Sequence, residues 1–146
     1  MADERIEPPR IYLTRRYRDC PAMIDWLVEV IGFRRHFVVE DGRGGIAHAQ
    51  LALGSALIMV GSARDDAFGQ AVGRPGTAAG DGTSVYIAVD DADVLCARVI
   101  ASGVEVPRPV EDTDYGSREF SCRDLEGLYW NFGTYWPKAS ETESTS

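Results

Sequence analysis

"YGSREFSCRDLEGLYWNFGTYWP" (Tyr115–Pro137) carries seven aromatic residues and a charged turn with few breaks. "SREFSCRD" and "GLYWNFGTY" read as a hairpin, and side chains in a strand alternate between faces with period two. Alternation sets Trp130 and Phe132 on one face and Tyr129 and Asn131 on the other. The first pair is expected to pack beneath helices as core, the second to face a cleft. The aromatics of this stretch therefore divide between core and pocket wall. Tyr135 and Trp136 follow Gly133, where they either cover the mouth of a cleft or form a terminal hydrophobic plug. Arg118 and Glu119 read as a pair at the rim, at a partner subunit or in solvent. Glu111, Asp112 and Asp114 make an acidic loop beside the hairpin, either a solvated loop or an attraction for a cationic ligand.

Outward from this hairpin, one order of elements recurs. "RIYLTRRY" (Arg10–Tyr17) has strand composition. Asp19 and Pro21 open a helix with the apolar stripe Ile24, Leu27, Val28 and Ile31, and Gly32 stops it. "FRRHFVVE" is a strand. "IAHAQLAL" and "SALIMVGS" pair about Gly54 and Ser55. In the second half, "TSVYIAV" is a strand, and Asp91 caps a helix with the stripe Ala92, Leu95, Cys96, Val99 and Ile100. "VEVPRPV" is a short strand placed at an edge by its prolines. The order strand-helix-strand-strand-strand thus occurs twice, as a pattern and not in residue identity. The boundaries predicted are an N-terminal arm over 1–9, a first module over 10–60, a connector over 61–82, a second module over 83–136 and a polar tail over 137–146. The Gly- and Ala-rich connector Gly61–Gly82 is expected to be the most mobile internal segment.

The chain has 146 residues with 45% hydrophobic and 26% charged content, an ordinary globular composition. Its net charge of −8 argues against nucleic acid, because Arg15-Arg16 and Arg34-Arg35 are too small a basic patch. No apolar window reaches membrane-spanning length. The three cysteines, Cys20, Cys96 and Cys122, are widely spaced and read as buried thiols in a reducing cytoplasm.

The tandem pattern resembles the vicinal oxygen chelate superfamily, which includes glyoxalases, extradiol dioxygenases and bleomycin-resistance proteins. "PAMIDWLVEVIGFRRHFVVEDGRG" is similar to its first helix and second strand. "YGSREFSCRDLEGLYWNFG", with an Asp-x-x-Gly turn after a G-x-R-E-F run, is similar to its closing hairpin and most like bleomycin-resistance proteins. The resemblance covers roughly Arg10–Tyr135. It implies an α+β fold, two tandem βαβββ modules forming a curved mixed sheet around a cleft, helices outside. It also implies a homodimer that completes its clefts between chains.

Enzymes of that family hold a divalent metal on the first and last strand of each module. The matching places here are Tyr12, Ile58 or its neighbour Met59, Ser84 and Asn131. None is a histidine or a carboxylate, so no metal and no cofactor is expected. Both histidines, His36 and His48, fall elsewhere. His48 and Gln50 share one strand face, as ligand contacts or as half-exposed polar groups. Tyr12, Thr14 and Tyr86 are placed on the cleft face of the two leading strands. The predicted ligand-binding set is Tyr12, Thr14, His48, Gln50, Ile58, Ser84, Tyr86, Tyr129, Asn131 and Trp136, with no catalytic residue. Such a lining suits a planar molecule rich in heteroatoms. The leading expectation is metal-independent sequestration of a small aromatic or cationic natural product, as in antibiotic resistance. The alternatives are a glyoxalase- or dioxygenase-type enzyme with an atypical metal site using His48, and a scaffold domain without a ligand. No nucleic-acid or membrane partner is expected.

Overall fold

The computed structural model describes residues 10–64 and 82–137. The arm over 1–9, most of the expected connector (65–81) and the tail from residue 138 lie outside the described residues. The chain divides into two units, Met1–Pro75 and Gly76–Ser146, and each is a βαβββ module with its own four-stranded mixed sheet.

In the first unit, β1 (Leu13–Tyr17) is followed by α1 (Cys20–Trp26), β2 (Arg34–Glu40), β3 (Ile46–Leu53) and β4 (Ala56–Ser62). The Asp19 side chain accepts a hydrogen bond from the Ala22 amide at 3.2 Å, and Pro21 occupies the first turn, where no amide donor is needed. The helix ends in a π-helical turn over Leu27–Ile31. There the Gly32 amide donates to the Leu27 carbonyl at 3.0 Å, and Gly32 takes φ of +108°, a left-handed conformation that glycine adopts without steric cost. The sheet order is β1-β4-β3-β2, with β1 parallel to β4 and the other pairs antiparallel. Tyr17, Ala49, Leu51, Ile58 and Val60 are buried with Met23, Ile24, Leu27, Ile31 and Phe33. Val28, expected in the buried stripe, is half-exposed. Strand β4 runs to Ser62, two residues into the expected connector.

The second unit repeats the order: β5 (Val85–Ala88), α2 (Ala92–Ala101), β6 (Arg108–Asp112), β7 (Arg118–Arg123) and β8 (Tyr129–Gly133). Asp91 caps α2 by accepting from the Val94 amide at 3.0 Å. The stripe Ala92, Leu95, Cys96 and Val99 is buried, whereas Ile100 is exposed. The sheet order β5-β8-β7-β6 puts the proline-bearing β6 at an edge. Phe120 pairs directly with Phe132, and Cys122 with Trp130. The Phe120 and Phe132 rings stack at 5.1 Å, and Trp130 lies parallel to Phe132 at 6.3 Å. All four side chains are fully buried. Burial pushes the Cys122 thiol up to about 12, so it behaves as an apolar filler and not as a nucleophile.

The Asp-x-x-Gly turn between β7 and β8 has a specific task. One oxygen of Asp124 accepts from the Glu126 and Leu128 amides at 3.0 Å each, and the other accepts from the Trp130 indole at 2.9 Å. The turn is thereby tied to the largest core side chain. Trp130→Ala is expected to cost about 3–5 kcal/mol through lost burial and the cavity left behind. Asp124→Asn, which sets an amide N–H₂ among groups that all donate, is expected to cost about 1–3 kcal/mol. Urea unfolding checks both, and variants as stable as the parent would contradict this account of the turn.

Candidate functional site

The faces opposite the buried ones carry the polar chemistry. In the second unit, pairing aligns Tyr86 on β5, Asn131 on β8, Ser121 on β7 and Arg108 on β6 as one row across the sheet. The next row on that face contains Gly133, Glu119 and Glu111. Between Arg108 and Glu111 the strand β6 gains one residue over β7, a bulge. Residues three apart would otherwise point to opposite faces, so the bulge brings Arg108 and Glu111 to the same one.

Hydrogen bonds join this row in a fixed direction. Arg108 is donor-only, so its Nε donates to Ser121 Oγ at 3.1 Å. Ser121 then spends its proton on Asn131 Oδ1 at 2.7 Å. The Asn131 amide nitrogen donates to Ser84 Oγ at 3.0 Å and to the Val85 carbonyl at 3.1 Å. At the other end, both terminal nitrogens of Arg108 reach Glu119 Oε1 at 3.4 Å, and the Tyr115 hydroxyl donates to Glu119 Oε2 at 2.8 Å. That bond to a carboxylate raises the Tyr115 pKa, keeping the phenol neutral and a donor.

Around these groups lies a pocket of about 420 Å³ lined by Tyr86, Arg108, Tyr115, Glu119, Asn131, Tyr135 and Pro137. Glu119 is its buried acid, with a side chain only 5% exposed. Tyr135 is fixed by its amide donating to Ser117 Oγ at 2.9 Å and by its carbonyl accepting from the Tyr86 hydroxyl. Its ring meets Tyr115 edge-on at 5.9 Å. Desolvation raises the Tyr86 pKa, so this phenol too stays protonated at neutral pH. Gly133 makes the close approach possible. A Cβ there would stand 2.6 Å from both Glu119 Cγ and the Tyr86 hydroxyl oxygen.

The expected site residues fall into separate places. Ser84, Tyr86 and Asn131 meet in the second unit, as described. In the first unit, Thr14, Met59, Gln50 and Phe37 form a row across the sheet, with His48 one step along on the same face. His48 Nε2 and the Gln50 amide nitrogen lie 3.2 Å apart, and the His48 ring stands 6.4 Å from Phe37. Tyr12 precedes β1 and is partly exposed. Ile58 is a correction: it is buried in the helix-facing core opposite Leu13 and Leu51, and its neighbour Met59 takes the open face. Tyr129 lies under the Arg123 guanidinium, 5.4 Å from its ring centre, and does not line the pocket. Trp136 is exposed and also outside the lining.

The expected pairing of Arg118 with Glu119 is corrected as well, since alternation sends them to opposite faces. Arg118 bonds Asp93 through Nε and a terminal nitrogen at 3.0 Å each, and reaches Asp112 at 3.2 Å. Five lining residues, Arg108, Tyr115, Glu119, Tyr135 and Pro137, were not in the predicted set. For Glu119 a signal existed: in R-E-F-S-C-R the apolar Phe120 and Cys122 claim one face, which leaves Glu119 and Ser121 on the other.

The four places that match metal ligands do not fit a divalent ion. Ser84 and Asn131 are neutral and bonded to each other, Met59 offers a thioether, Ile58 is core, and Tyr12 is a phenol. Among the described residues, no three His, Cys, Asp or Glu side chains converge to hold one.

Comparison with known proteins agrees with this architecture. Residues 11–132 match the model of the Glyoxalase/Bleomycin resistance protein/Dioxygenase superfamily. TioX from Micromonospora sp. ML1 is similar at 29% identity, over 90% of this chain and 100% of its own, with a TM-score of 0.68. A glyoxalase-related enzyme from Fulvimarina pelagi shares the fold at 16% identity, over 95% of this chain and 98% of its own, with a TM-score of 0.66. No curated protein matches. With five-sixths of its length matched by the family model, and with a βαβββ module in each half, the chain belongs to the glyoxalase/bleomycin resistance protein/dioxygenase superfamily.

Proposed function

We propose that this protein captures a small aromatic or cationic natural product, without a metal ion, in the tyrosine-lined pocket of its second unit. The biological role that fits is sequestration of a toxic compound, as in antibiotic resistance. The observation that carries the reading is a buried carboxylate, Glu119, set among Tyr86, Tyr115 and Tyr135 on a hydrogen-bonded floor. A volume of about 420 Å³ suits a small organic molecule. Flat phenol rings supply stacking area, and their hydroxyls with Asn131 and Glu119 supply orientation.

Capture fits the floor better than turnover. The Ser121 proton goes to an amide oxygen and not to a base, so its oxygen is not activated as a nucleophile. Buried free thiols at Cys20, Cys96 and Cys122 suit a reducing, cytoplasmic setting. Among the described residues, no helix is long and apolar enough to cross a membrane. The reading includes a homodimer, supported by the edge strand β2, which exposes Phe37, Val38 and Val39.

A fluorescence screen of aromatic and cationic compounds should return a ligand bound at one per chain and recovered unchanged by chromatography. Its affinity should stay within about twofold after dialysis against a chelator. Binding that disappears on chelation and returns with a divalent ion would overturn the metal-independent reading. Tyr115→Ala should weaken binding on the order of thirtyfold, while Tyr129→Ala, outside the pocket, should leave it near the parent value. The reverse ranking, in folded variants, would move the site along the sheet. Sedimentation is expected to give a dimer at micromolar concentration, and a monomer would remove the dimer from the proposal.

A further inference from the structure

We infer that the pocket takes a cationic group, an ammonium or an amidinium, on the Glu119 carboxylate, and that Arg108 is a resident cation which the ligand displaces. The inference rests on the pocket reading above and narrows it to one ligand chemistry.

Glu119 is a carboxylate with a 5% exposed side chain, and a buried charge of this kind requires a counter-charge. The counter-charge present is loosely seated. Both terminal nitrogens of Arg108 converge on one oxygen, Oε1, at 3.4 Å. Charge-assisted bonds of this type are usually about 2.7–2.9 Å, and a bidentate pair gives each nitrogen its own oxygen. The same unit contains the tighter arrangement for comparison. Arg118 meets the two oxygens of Asp93 with two separate nitrogens at 3.0 Å each.

Arg108 also has somewhere to go. It sits on an edge strand with its side chain 34% exposed, and one terminal nitrogen already reaches Glu111 Oε1 at 3.4 Å. Glu111 shares the face because of the bulge in β6, and its side chain is 55% exposed. A guanidinium leaving Glu119 therefore stays paired, on the rim and near water. The site it vacates retains the Tyr115 hydroxyl on Oε2 and three phenol rings, Tyr86, Tyr115 and Tyr135, whose faces attract cations. Glu119 and Glu111 together outnumber Arg108, so the pocket and its rim favour an incoming cation over an anion.

Calorimetric titration with phenethylamine and its neutral isostere 2-phenylethanol tests the inference. The parent protein should bind the amine about tenfold or more tightly than the alcohol. Arg108→Ala should strengthen the amine several-fold and leave the alcohol within about twofold, because a competitor has been removed. Glu119→Gln should bring the amine down to the level of the alcohol. Arg108→Gln, which keeps hydrogen-bonding capacity toward Ser121 and Glu119 without the charge, gives the same readout should the alanine variant not fold. Weaker or unchanged amine binding in the folded Arg108 variants would overturn the displacement. Equal binding of amine and alcohol by the parent would overturn the cation preference while leaving the pocket reading standing. Failure of both probes and of the wider compound screen would remove the pocket reading and this inference together.

Discussion

The second unit depends on the register between β7 and β8. Phe120 stacks on Phe132, Cys122 faces Trp130, and all four lie buried on one face. Because side chains alternate, the same register delivers Glu119, Ser121 and Asn131 to the other face, and a slip of one residue would exchange the two sets. Asp124 guards against that slip by binding the turn amides and the Trp130 indole together. Core packing and pocket chemistry are therefore two consequences of one alignment.

The polar face is organised by what each group is able to donate. Arg108 has no acceptor and Val85 offers a carbonyl, so the intervening Ser121 and Asn131 have a single orientation available. From Val85 through Asn131 to Ser121 the floor is pre-organised, and a ligand that displaces the Arg108 guanidinium need not reorder it. Two local features of the strands complete the site. The bulge in β6 aims Arg108 and Glu111 at the same face, and Gly133 leaves the space into which Tyr86 and Glu119 converge.

The fold was largely legible from the chain. Capped helices at Asp19 and Asp91 and alternating strands recur in both halves, and the Gly54-Ser55 turn closes the hairpin of the first, each with a direct local cause. That Ser84, Tyr86 and Asn131 lie together was also legible, because leading and closing strands lie side by side in the module. The places of Arg108 and Tyr115 in the pocket were not. Arg108 owes its direction to a bulge, which no periodic pattern announces. Tyr115 sits in a turn, where alternation does not apply. Met59 and Ile58 differ by one position, and in a strand that is the difference between open face and core. Glu119 was readable by alternation, but an adjacent Arg118 made a surface ion pair the simpler reading of the sequence.

The central claim is that the ligand site lies over the row from Tyr86 to Arg108 in the second unit, around Glu119. The most direct measurement is a backbone amide map by NMR, following ¹⁵N-labelled protein as a captured compound is added. The account predicts shifts concentrated at Tyr86, Ser121, Glu119, Asn131 and Gly133, with Thr14, His48 and Gln50 little changed. Shifts centred on Thr14, His48 and Gln50, with the Glu119 region silent, would contradict it.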